Sequence, residues 1–184
     1  MTNEFLLEYS RLAYSSAKSK GFFMDKQDDS AYIVAIHEEL SEAFRAWNKH
    51  EGWYNVDPKP SGVYFELVDA VIRILSYSGY KGLTLVEHVF ETDRPYTRDD
   101  LCDMIAKCHL EIGQYYEILS REVRDEFEEA LQLTCMQMLL SAVISRIEVF
   151  IAETSEYTLD LEELITTKLA YNATRGVKHG GNEV

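Results

Sequence analysis

Glu39 and Glu42 stand three residues apart in the stretch Ala35 to Trp47, and Glu66 and Asp69 repeat that spacing in Val63 to Leu75. In a helix, residues at i and i+3 share a face one turn apart. Two such helices side by side would gather four carboxylates. Carboxylates that close repel one another unless a cation sits among them, and hard oxygen donors left partly to water suit Mg2+, with Mn2+ able to substitute. An ExxE or ExxD alone is equally the solvated edge of an amphipathic helix. Glu39 argues for more than that. The apolar line Tyr32, Ile36, Leu40, Ala43 and Trp47 leaves it on the core edge, away from His37, Ser41 and Arg45, where a charge needs a partner. In the second stretch Glu66, Asp69, Arg73 and Ser76 form the one polar stripe of a helix that is otherwise apolar around its circumference.

A second group lies near the end of the chain. Lys168, Asn172 and Arg175, at i, i+4 and i+7, fall on one helix face, followed by Lys178 and His179. A lysine, an amide and an arginine in line suit a run of phosphate oxygens, the arginine through its forked donors. The same row also suits cations placed near a helix C-terminus by its dipole. Trp47, Trp53 and Tyr54 flank the loop between the acid-bearing stretches and could stack on a nucleobase or simply anchor the loop. His37 could contact a substrate or be a solvated helix residue. The patterns GxxxxGK[ST], GxSxG and HExxH are absent, as is the ExxH of di-iron bundles.

The elements that must hold these residues are helical. A chain of 184 residues, 46% hydrophobic and 12% aromatic, builds one well-buried core, so a single all-α domain over 1–184 is expected. A formal net charge of -14 makes nucleic acid an unfavourable partner, whereas a small anion bridged by a metal is compatible. Cys102, Cys108 and Cys135 lack CxxC spacing and read as reduced core residues. The start, MTNEFLLEYSRLAY, has no leader pattern, and no stretch reads as a membrane span, so a soluble, cytoplasmic protein is expected. Periodicity and capping predict helices over 3–19, from 28–30 to Lys49, and over 63–78 with a turn at Gly79 and Gly82. Further helices are predicted over Thr84–Phe90, Arg98–Leu119, Arg121–Ala152 and Leu159–Thr174. Residues 50–62 are the main loop. Shifting the chain by 72 residues places His109 on His37, Glu111 on Glu39, and Ala142, Val143 and Ile144 on Ala70, Val71 and Ile72. The other acids meet Gln114, Met138 and Ser141, so residues 97–155 read as a degenerate copy, with chance alignment of two amphipathic helix pairs as the alternative.

The chain resembles the all-α nucleoside triphosphate pyrophosphohydrolases, the superfamily of the MazG proteins and the dimeric dUTPases. The resemblance rests on Glu39-Leu-Ser-Glu42 and Glu66-Leu-Val-Asp69, with the extra acid Glu38 ahead of them. It rests also on Lys168, Tyr171-Asn172, Arg175 and His179-Gly180-Gly181, similar to a KxxYNxxRxxxHGG ending. It covers a helix pair over 30–80 and a helix and tail over 159–181; residues 97–155 are extra, and Asn182 stands where a basic residue often follows. A fusion of two helical units, the second degenerate, would account for the length. The resemblance implies a helical bundle that hydrolyses a nucleoside triphosphate to monophosphate and pyrophosphate with Mg2+ held by Glu39, Glu42, Glu66 and Asp69. Glu38 would orient or deprotonate the water. Lys168, Tyr171, Asn172, Arg175 and His179 would bind phosphate and sugar, and Trp47 or Trp53 the base. A homo-oligomer, a dimer, is expected unless the internal repeat already closes the unit. The competing expectation is a non-enzymatic, nucleotide-sensing or assembly module with a structural metal.

Overall fold

A helix apolar on nearly every side must be enclosed, and the stretch after the main loop is. In the computed structural model, which describes residues 1–23, 28–90, 92–156 and 158–175, this stretch is α3. Among the described residues there are six α-helices: α1 (Asn3–Ser19), α2 (Asp29–Asn48), α3 (Val63–Lys81), α4 (Leu101–Leu119), α5 (Glu126–Thr154) and α6 (Leu161–Thr174). A 3-10 turn at Arg98–Asp100 leads into α4. The chain is all-α, as its periodicity requires. Helices α1, α2, α5 and α6 all pack on α3. They bury Tyr64, Phe65, Leu67, Val68, Val71, Ile74 and Leu75 completely or nearly so.

Two antiparallel hairpins result. In the first, Glu39 of α2 accepts a hydrogen bond from Arg73 Nε of α3 at 2.9 Å, and Asp29 takes the Tyr77 hydroxyl and the Lys81 ammonium, each at 3.0 Å. In the second, Glu111 of α4 holds the Arg146 guanidinium of α5. The hairpins meet where α2 crosses α4, with the Nδ1 atoms of His37 and His109 at 2.6 Å. These residues are separated by the same 72 positions as the internal alignment. Burial lowers both imidazole pKa values, that of His37 further through its neighbour, so two neutral rings share one hydrogen bond here.

Several local expectations are corrected. α3 runs through Gly79 and stops only at Gly82, which is left-handed (φ 68°). Gly79 is needed for packing: a Cβ there would lie 2.4 Å from the Ser10 carbonyl oxygen of α1. Gly79→Ala should therefore destabilise the protein by about 1–3 kcal/mol in urea unfolding. Gly113→Ala, where a Cβ meets nothing within 4 Å, should be neutral or stabilising by up to about 1 kcal/mol. The predicted helix at Thr84–Phe90 is absent. The segment is strapped down instead, the Val86 amide donating to Ser141 Oγ at 3.1 Å and the Glu87 amide to Asn3. α5 begins at Glu126, where the Asp125 side chain accepts the Glu128 amide. By length and composition α5 could cross a membrane, contrary to expectation, but Leu140, Val143, Ile144, Ile147, Phe150 and Ile151 are buried inside the fold. Of the three cysteines only Cys108 is a core residue; Cys135 is half-buried and Cys102 exposed.

Candidate metal and phosphate site

The polar stripe of α3 faces the acid-bearing side of α2 because every other face of α3 is taken up by packing. Between them, closed by the end of α1 and by α6, lies a cleft of about 450 Å3. The main loop folds back over the start of α3, its Gly52 and Trp53 carbonyls accepting the Val63 and Tyr64 amides at 3.1 and 3.0 Å. Gly62 makes that return possible: its φ is 98°, and a Cβ would sit 3.0 Å from Gly52 O. The fold-back delivers Lys59, Pro60 and Ser61 to the rim.

Glu39 and Glu42 from α2 and Glu66 from α3 bring one carboxylate oxygen each to within 4.8 Å of one another. Asp69, one turn on from Glu66, lines the same cleft but is claimed by Lys168 of α6, Nζ to Oδ2 at 2.7 Å. Glu38 lines it from an exposed position. Glu42 is also paired with Arg45 at 2.9 Å. The partner that Glu39 needed is thus a cation of its own hairpin, Arg73.

The crowding is visible in the acidities. Burial, then the charge of Asp69, raises the Glu66 pKa to about 7, against the relief that Lys168 supplies. Burial likewise raises Glu39 despite Arg73, and Asp69 despite Lys168. A carboxyl whose folded-state pKa is raised stabilises the fold fully below the ordinary value and loses that contribution as pH rises through the folded one. In chelator, the melting temperature should therefore fall as pH is raised from about 5 to about 8. The measurement is a thermal scan across that window, and a flat profile would show that burial has not raised these acids.

α6 supplies the rest. Its Asp160 cap and the packing of Leu161, Leu164 and Ile165 set its phase. Lys168, Tyr171, Asn172 and Arg175 consequently line the cleft, with Lys168 6% exposed. Lys20, at the end of α1, donates to the carbonyls of Ala173 and Arg175, holding the end of α6 against α1. Asn172 Oδ1 is buried without a hydrogen-bond partner among the described residues, an acceptor awaiting a donor. His179 lies outside the described residues.

The tryptophans are elsewhere. Trp47 is half-buried against the core beside Phe44, and Trp53 packs on Tyr64 and Phe150 with Arg98 over its ring. Neither lines the cleft, because the loop that carries Trp53 turns its ring toward α5. His37, paired with His109, is not at the cleft either. Two aromatic rings line it, Tyr171 of α6 and Phe22 beyond the end of α1, and the apolar lining also includes Ala13, Ala17 and Ile72. Lys20, Lys59 and Arg73 also line the cleft without having been singled out. Arg73 was within reach of sequence reasoning, since it shares the polar stripe of α3.

No family model, curated protein or solved structure matches the chain in comparison. What the site can do rests on its own chemistry. Three convergent carboxylates, with open space beside them, fit a hard divalent cation. The cations across the cleft, Lys168 and Arg175, fit the phosphate oxygens such an ion would also attract.

Proposed function

We propose that this protein is a Mg2+-dependent nucleoside triphosphate pyrophosphohydrolase of the MazG-like all-α type, cleaving a nucleoside or deoxynucleoside triphosphate to monophosphate and pyrophosphate in the cytoplasmic pool. The observation that carries the reading is the convergence of Glu39, Glu42 and Glu66 opposite Lys168, Asn172 and Arg175 in one cleft. Glu39, Glu42, Glu66 and Asp69 would hold Mg2+, which when bound supplies charge neutralisation for the phosphates and an acidified water. Phosphoryl chemistry asks the protein mainly for positioning and electrostatics. Lys168, freed from Asp69, and Arg175 bind phosphate oxygens, and Asn172 Oδ1 accepts a hydroxyl or amino hydrogen of the substrate. Glu38, exposed at the rim, orients the attacking water. The base lies on the apolar side formed by Phe22, Ala13, Ala17 and Ile72, a role the tryptophans cannot take from where they stand.

In this reading α2 and α3 are the working unit, and α4 and α5 a copy that kept its packing. Three observations support it. His37 meets His109, as residues on a two-fold axis meet their own counterparts. The Glu111–Arg146 pair bridges the second hairpin as Glu39–Arg73 bridges the first, although Arg146 stands one position beyond Ser145, the residue that aligns with Arg73. Gln114, Met138 and Ser141 stand where the other acids would be. The α2–α4 contact then takes the place of a dimer interface.

The test is a panel of ribo- and deoxynucleoside triphosphates incubated with the protein and Mg2+, the products being resolved. Monophosphate with pyrophosphate supports the proposal; diphosphate with phosphate, or no turnover of any member, contradicts it. A second reading, a sensing or assembly module, draws on the fact that Arg73 and Lys168 already neutralise two of the four acids without metal. It predicts nucleotide binding with no turnover.

A further inference from the structure

Arg73 is a cation of the cleft to which the proposed enzymatic function gives no role. Its Nε donates to Glu39 Oε1 at 2.9 Å, yet its side chain is 37% exposed where that of Glu39 is 13% exposed. The guanidinium carbon lies 5.4 Å from the centre of the Phe22 ring. Among the described residues Nη1 and Nη2 make no hydrogen bond. The second hairpin holds an analogous pair in a different state. Arg146 reaches Glu111 through both Nε and Nη2, its Nη1 approaches the Tyr96 hydroxyl at 3.5 Å, and the two side chains are 10% and 15% exposed. That pair is sealed. The Arg73 pair is open on the cleft side, and its arginine has two donor nitrogens to spare.

We propose that Arg73 is a latch coupling metal loading to anion binding. The inference rests on the metal reading given above and adds a residue to it. In the metal-free protein the guanidinium offsets the charge of Glu39, one of three carboxylates whose oxygens lie within 4.8 Å. A divalent cation among those oxygens competes with it for the same carboxylate. Once displaced, the guanidinium needs a new anion, and its position over Phe22 keeps it at the cleft. Its planar fork then suits two oxygens of a phosphate group. Arg73 therefore opposes the metal when no anion is present and favours the anion when the metal is. By linkage the coupling is reciprocal: with the arginine in place, a condensed phosphate tightens metal binding.

The experiment uses calorimetric titrations of the whole protein with Mn2+ alone, and of the Mn2+-loaded protein with inorganic pyrophosphate. Arg73→Gln should bind Mn2+ about 3- to 10-fold more tightly than the wild type, and pyrophosphate about 10-fold more weakly. Arg73→Lys, which keeps the charge but not the fork, should restore the wild-type Mn2+ affinity while recovering only part of the pyrophosphate affinity. Opposite signs are the signature, because an arginine that merely supports the fold would weaken both ligands together. Equal weakening of both, or Mn2+ affinity unchanged in Arg73→Gln, overturns the latch and leaves the metal site standing. A wild-type protein that binds no Mn2+ overturns the metal reading and the latch with it.

Discussion

Glu66→Gln should abolish Mg2+-dependent pyrophosphate release and, in the same preparation, raise the melting temperature of the metal-free protein. The two effects share one cause. Burial and Asp69 hold the Glu66 pKa near 7, so at neutral pH and above the fold carries an ionised carboxylate it disfavours. The amide keeps the shape and removes the charge. Above pH 7 the variant should be the more stable protein, by about 2–4 °C for each kcal/mol recovered in a chain of this length, and its melting temperature should depend less on pH. Activity should move the other way. A divalent cation contributes several kcal/mol of charge stabilisation to phosphoryl transfer, and each 1.36 kcal/mol is tenfold in rate, so losing one of its ligands should lower turnover at least about a hundredfold. A variant that gains no stability, or one that turns over at the wild-type rate, would show that Glu66 is an ordinary surface acid.

Lys168→Met should produce the largest loss of stability among the cleft residues. The ammonium is 2.7 Å from Asp69, the side chains 8% and 19% exposed. Removing one member of a buried pair leaves the other uncompensated, at a cost of about 3–5 kcal/mol. Asp69 makes this acute, because burial has already raised its pKa and Lys168 is the largest opposing influence. Urea unfolding in chelator should show that loss. Two further results follow from the same cause. Adding Asp69→Asn to Lys168→Met should recover most of the stability, since no charge is left stranded. Mg2+ should recover part of it in the single variant, because an ion among Glu39, Glu42, Glu66 and Asp69 replaces the missing positive charge. Failure of Asp69→Asn to rescue would mean that Lys168 acts through its ammonium over the Phe65 ring, Nζ to centroid 5.7 Å, and not through the ion pair.

What could be read from residue order follows the reach of helical periodicity. The i, i+3 spacing of Glu39 with Glu42 and of Glu66 with Asp69, and the i, i+4, i+7 row on α6, are properties of single helices. All of them line the same cleft. The position of Glu39 on the core edge correctly demanded a partner, but could not say that it would be Arg73 rather than a metal, because that depends on the register between α2 and α3. The tryptophans show the limit more sharply. Whether Trp53 faces a ligand or the core is decided by the direction in which a loop returns, and here the positive φ of Gly62 and the backbone bonds to Val63 and Tyr64 decide it. Phe22 follows the end of a helix, where periodicity no longer assigns a face. Aligning the chain on itself superposed His109 on His37, but contact between them depends on how two hairpins dock. The apolar pattern of Thr84 to Phe90 suits a helix and an extended strap alike, and its hydrogen bonds to Asn3 and Ser141 come from distant parts of the chain.

The central claim is that the acidic and basic walls of the cleft bind a divalent cation and a triphosphate together. Thermal unfolding with Mg2+, with a non-hydrolysable nucleoside triphosphate, and with both tests it directly. The account predicts a small rise with the metal alone and a rise of several degrees, exceeding the sum of the separate effects, with both. Equal shifts from the triphosphate with and without Mg2+, or no shift from any of the three, would contradict it.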